Sequence, residues 1–161
     1  MEKLKYILCL SLICIMVSCH CDYYGSQDLG KNFTLLKGDR LEDNVIIYCS
    51  GDKRGCCTGG IYVIPTYEEH YDIDGKYNEY VEEAKSNEKW IVVRTIQKSN
   101  KVRYWLINKD FEVEDKYKDT PLSKKVGEEL ITLIQSQITG PLNASEYSMK
   151  IKELKINLSL E

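Results

Sequence analysis

Clustered basic charge is what this chain most plainly lacks. Lysine and arginine number 22 against 25 aspartates and glutamates, and no stretch concentrates them enough to release counterions from a phosphate backbone, which argues against a nucleic-acid partner. The same shortage leaves no basic surface for acidic lipid. Histidine is nearly missing, with only His20 and His70, and the cysteines never repeat in the Cys-x-x-Cys spacing of a zinc site, so no metal or other cofactor is expected. The glycine-rich stretch Ser50–Gly60 has no Lys-Ser/Thr after its last glycine, which excludes a phosphate loop. An apolar fraction of 43% with 29% charged residues is ordinary globular usage, so neither disorder nor a fibrous repeat is indicated. At 161 residues there is room for one domain.

The first stretch that stands out is MEKLKYILCLSLICIMVSC. Lys3 and Lys5 precede an apolar run from Tyr6 to Val17, and Ser18 stands directly before Cys19. This is the three-part layout of an export signal, with an apolar run shorter than the roughly 20 residues that span a bilayer. Met16-Val17-Ser18-Cys19 resembles the lipobox of bacterial lipoproteins. The resemblance implies a diacylglyceryl group on the Cys19 thiol, cleavage after residue 18, and a second acylation, by a chain such as palmitate, on the new amine. Two or three chains hold a protein stably where one does so only marginally. Residues 1–18 are therefore expected to be a signal peptide, 19–31 a lipidated tether and 32–161 a single domain, on the non-cytoplasmic side of a bacterial envelope membrane. Removal of the signal leaves 20 basic and 24 acidic side chains. A plain secretory signal is the alternative, which gives a secreted disulfide-bonded domain without lipid; Asn32, Asn143 and Asn157 lie in glycan-acceptor triplets under a eukaryotic version of it.

Of seven cysteines, Cys9 and Cys14 leave with the signal and Cys19 takes lipid. Cys21, Cys49, Cys56 and Cys57 remain, an even number that suits two disulfides in an oxidising compartment, with three connectivities open. A bond between the adjacent Cys56 and Cys57 closes a strained ring. The favoured arrangement joins Cys49 to one of them and Cys21 to the other.

Along the body, Asp22–Lys31 reads as a tether broken by Gly25 and Gly30. Strands are expected at Phe33–Lys37 and Val45–Cys49, joined through Gly38-Asp39-Arg40, and at Ile61–Ile64 beyond the cysteine loop. Pro65–Lys76 carries four acidic residues, two tyrosines and His70; Asp72-x-Asp74-Gly75 lacks the other ligands of a calcium loop and is expected to be a solvated turn. Tyr80–Lys85, Trp90–Ile96 and Val102–Asn108 form a meander, with Phe111–Glu114 as a further short edge. In Val102–Asn108 both alternating faces are apolar, the mark of a central strand covered on each side. Thr120-Pro121 opens a helix with Leu122, Val126, Leu130, Leu133, Ile134 and Ile138 on one face, stopped by Gly140-Pro141. Asn143 and Glu146 form a capping box for a second helix through Leu154, with Met149 and Leu154 inward. The class is α+β: an antiparallel β-meander sheet covered by C-terminal helices.

Three stretches, CDYYGSQDLGKNFTLL, the pair KWIVVRT and YWLIN, and GPLNASEYSMKIKELKI, together resemble a family of short bacterial envelope lipoproteins whose domain has no assigned function. The resemblance implies a tethered envelope protein and carries over no site residues. With twelve tyrosines and two phenylalanines, some rings are exposed, and Tyr67, His70 and Tyr71 are the candidate binding surface. No catalytic residue is singled out, and the expected role is a non-enzymatic binding or structural module whose partner is an envelope protein or glycan. The rival reading is an envelope hydrolase using Glu68, Glu69, Asp72 and Asp74, or a cysteine-loop thiol with His70 as base.

Overall fold

The computed structural model describes residues 25–49, 60–114, 117 and 124–160. The signal segment, Cys19, Cys21, Cys56, Cys57 and the Thr120-Pro121 helix start lie outside the described residues. Two four-stranded antiparallel sheets follow in chain order, so the fold is α+β with the meander topology used twice.

The first sheet is β1 (Gln27–Gly30), β2 (Phe33–Leu36), β3 (Val45–Tyr48) and β4 (Ile61–Ile64), each paired with the next. β1 corrects the sequence expectation of a tether over Asp22–Lys31, since Gln27–Gly30 pairs with β2. Its single inward residue, Leu29, is buried in the core, and so short a signal is invisible to an alternation test. Lys31 and Asn32 turn the chain into β2 with φ of 51° and 69°, the left-handed pair that a two-residue hairpin requires. Between β2 and β3 lies a 3-10 turn at Leu41–Asp43. β3 is buried on both faces: Ile46 and Tyr48 enter the main core, whereas Val45 and Ile47 pack with Cys49, Leu36 and Tyr62 on the other side.

The second sheet is β5 (Glu79–Ser86), β6 (Trp90–Gln97), β7 (Val102–Asn108) and β8 (Ile138–Leu142). In β5 the register shifts between Val81, opposite Thr95, and Glu83, opposite Arg94. The extra residue, Glu82, lets Val81 and Ala84 both face the core despite an odd spacing. It also brings Glu82 and Glu83 to the same arginine, Arg94. β7 is internal, as its two apolar faces require: Trp105 and Ile107 join the main core, and Leu106 packs the opposite way with Val92 and Ile156.

β8 is a second correction. Ile138 sits at helical spacing from Ile134 and Gly140-Pro141 resembles a helix stop, yet the helix ends at Gln135 and residues 138–142 pair with β7. Gly140 has φ 148°, and a Cβ there would meet Trp105 Cε3 at 2.7 Å and the Tyr104 carbonyl at 3.0 Å. The glycine serves close approach of two strands. Phe111–Glu114, expected as a short edge strand, is irregular.

Helix α1 is Tyr67–His70, α2 is Lys124–Gln135 and α3 is Ala144–Glu153. Val126, Leu130 and Ile134 of α2, spaced by four, enter the core that both sheets share. Burial of a side chain the size of Leu130 or Ile134 stabilises by about 1.5–3 kcal/mol. Asn143 caps α3 by accepting from the Ser145 and Glu146 amides at 2.9 and 3.0 Å, and the Glu146 carboxylate accepts in turn from the Asn143 amide at 2.8 Å. Tyr147, Ile151 and Leu154 cover the outer face of the second sheet. Met149, expected inward, is exposed, because it lies on the opposite side of the turn from Ile151.

Candidate functional site

The segment after β4 builds the aromatic part of the molecule. Glu69 accepts from both the backbone amide and the hydroxyl of Thr66 at 3.0 Å, which starts α1. One turn suffices to separate its side chains: Tyr67 points outward and is 57% exposed, while His70 is 1% exposed. The His70 Nδ1–H donates to the Glu79 carbonyl at 2.7 Å. A carbonyl only accepts, so this contact fixes the neutral tautomer with its proton on Nδ1. Burial holds the His70 pKa below the ordinary imidazole value, outweighing the Glu79 contact.

Rings gather around His70. Its centroid is 4.4 Å from Tyr71, 5.2 Å from Tyr77 and 6.1 Å from Tyr62. Tyr67 in turn lies 5.5 Å from Tyr62 and 5.2 Å from Tyr71, and Tyr71 lies 5.5 Å from Tyr77. These are edge and tilted geometries in the favoured range for aromatic pairs.

One end of this cluster already holds a cation. The Arg40 guanidinium sits 4.8 Å over the Tyr77 ring and donates to the Tyr77 hydroxyl at 3.0 Å. Tyr77 donates a very short bond to Asp43, and Arg40 reaches the same carboxylate at 3.5 Å. The Tyr77 bond is the main reason the Asp43 carboxyl titrates below its usual range, and the reason the Tyr77 phenol is pushed up.

The other end is open. Tyr71 pairs with Tyr77 across a bridge, and the intervening loop is closed by Asp72, which accepts from the amides of Asp74 and Lys76 at 3.0 and 2.8 Å and from Lys98 Nζ at 3.2 Å. Those donors, the Lys76 amide first, hold the Asp72 carboxyl low. Gly75 takes φ 71° at the turn. A surface depression of about 540 Å³ is lined here by Tyr67, Glu68, Tyr71, Asp72, Ile73 and Gly75. Ile73 is fully exposed on it.

Of the sequence-selected surface, Tyr67 and Tyr71 line the depression. His70 does not; it supports them from beneath, because packing among three rings leaves no path to solvent. Tyr62, Tyr77 and Arg40 were not anticipated, since they join from positions distant in the chain. Of the four carboxylates considered for hydrolysis, Glu69 and Asp72 are engaged in holding backbone, Asp74 pairs with Lys76 at 3.9 Å, and Glu68 borders the depression. Cys49 is buried at the end of β3, its amide donating to the Asn32 carbonyl at 2.8 Å and its Sγ 3.5 Å from the Thr34 hydroxyl.

A second concavity, about 460 Å³, lies between the β1–β2 turn and the irregular chain after β7, lined by Lys31, Asn32, Tyr48, Phe111 and Glu112 among others. In comparison with known proteins, the chain matches no family model, no curated protein and no solved structure.

Proposed function

We propose that this protein is a non-enzymatic binding module of the bacterial cell envelope, anchored by lipid on Cys19, that engages its partner through the Tyr67–Tyr71–Ile73 face. The observation that carries the binding reading is the exposure of Tyr67 and Ile73 around a depression, with His70 buried against Tyr71 behind it. Exposed apolar groups gathered on one face, unlike single scattered ones, mark an interaction surface. Anchoring rests on the residues that resemble a lipobox, and a disulfide from Cys21 to Cys56 or Cys57 would fasten the body close to the tether. Glu69 and Asp72, which a hydrolase would need free, are spent on local hydrogen bonds, and this favours binding over turnover.

Mass spectrometry of the mature N-terminus tests the anchor. A chain beginning at Cys19 with diacylglycerol attached is expected, and Cys19→Ala should move the protein from the detergent phase to the aqueous phase. A mature chain that starts elsewhere, or a Cys19→Ala variant that stays in the detergent phase, refutes the anchor.

A further inference from the structure

We infer that the open end of the tyrosine cluster is a receptor for a cationic side chain, and that its occupant is an arginine-bearing segment of a partner polypeptide. This rests on the binding-face reading above and names its ligand class. The structure carries its own template: at the Tyr77 end, a guanidinium lies over a tyrosine ring with a carboxylate, Asp43, beside it. The open end repeats the rings and carboxylates with, among the described residues, no cation over a ring. Tyr67 and Tyr71 present rings, and Glu68 and Asp72 flank them around the depression. Among the described residues, the cation found over a ring of this cluster is Arg40 alone, and Lys98 meets Asp72 at its carboxylate.

A ring face attracts a cation through its quadrupole, and a planar guanidinium stacks as well as it pairs. Neighbouring carboxylates strengthen that preference and repel an acidic ligand. Ile73, fully exposed on the same rim, supplies apolar contact for the methylene stem of an arginine. Arginine fits better than lysine because its weakly hydrated fork can lie flat on Tyr67 while bonding Glu68.

The test uses the full mature protein in nonionic detergent, with isotope-labelled isoleucine methyls and tyrosine rings read by NMR. Three probes are titrated: a blocked Gly-Ser-Arg-Ser-Gly peptide, the same peptide with neutral citrulline in place of arginine, and diacetylchitobiose as a glycan. The arginine peptide is expected to move the Ile73 and Tyr67 signals saturably, with the citrulline peptide at least about fivefold weaker. Tyr67→Ala should weaken arginine binding about two- to fivefold, Tyr67→Phe should leave it within about twofold, and Glu68→Gln should weaken it and flatten its salt dependence. Equal binding of both peptides, or chitobiose moving these signals while the arginine peptide does not, overturns the cation receptor and leaves the binding face standing. Silence at Ile73 and Tyr67 with every probe overturns the receptor and removes support for the face as well. The lipid anchor is judged separately, by the mass of the N-terminus.

Discussion

Glu79 is fully buried at the start of β5, and every neighbour of its carboxylate is a donor: the Thr95 hydroxyl at 2.6 Å, the Gln97 amide at 3.1 Å and Arg103 Nη1 at 3.0 Å. Thr95 is already accepting from the Trp105 indole at 3.0 Å, so it cannot easily turn round to accept from a new donor. Glu79→Gln keeps the shape but aims an NH2 group at one of these donors. A hydrogen bond to a charged group contributes about 1.5–3 kcal/mol. Removing one member of a buried ion pair costs about 3–5 kcal/mol, but Arg103 keeps 24% of its side chain in solvent and can be hydrated, which favours the lower figure. Glu79→Gln should therefore destabilise by about 2–3 kcal/mol, and with a urea slope of about 1–3 kcal/mol/M the midpoint should fall by about 0.7–3 M. Urea melts followed by tryptophan fluorescence read this directly, since Trp105 is part of the network. Arg103→Met in the same background should cost less than it does alone, because the two groups are coupled. A Glu79→Gln midpoint within about 0.2 M of the parent at unchanged slope would show that the network holds nothing together.

Other substitutions probe the packing. Leu130→Ala, at a fully buried position of α2 in the core that both sheets share, should cost about 2–5 kcal/mol in thermal or urea melts, and a loss under about 1 kcal/mol would mean that α2 is not docked there. Gly140→Ala places a methyl 2.7 Å from Trp105 and should cost about 1–3 kcal/mol, visible as an altered Trp105 environment in near-UV circular dichroism. His70 has a folded pKa below its unfolded value, so the unfolded state binds its proton first. Its contribution is whole above the unfolded pKa of about 6.5 and is lost as pH falls beneath it. His70→Gln should flatten the stability profile between that pH and the carboxylate range, and a profile of unchanged slope would show that His70 is not held neutral.

Most strands were legible because their chemistry is local. VIIY, WIVVRTI and VRYWLIN are runs of β-branched and aromatic residues that nothing but a buried strand accommodates. The hidden strands conflict with a local rule: the glycine and proline of β8 imitate a helix end, and β1 shows the core a single leucine. The site divides the same way. Tyr67 and Tyr71 stood out as an excess of rings in a polar stretch, yet the placement of His70 beneath them depends on Tyr62, Tyr77 and Glu79, and the Arg40–Tyr77 pair spans 37 positions. Long-range pairings of this kind leave no periodic trace in sequence.

The outermost strands of the two sheets bear on how copies behave when crowded side by side. β1 is four residues long with Gln27 and Asp28 facing out, β5 is kinked at Glu82 and carries Glu83 and Lys85, and β8 contains Pro141, which offers no N–H to a newcomer. Each of these three rims, of the four that the sheets have, is thus a poor template for an intruding backbone. Along these three edges neighbouring molecules can brush past one another at high density without zipping into a shared ribbon, and their aromatic faces stay available for a different guest.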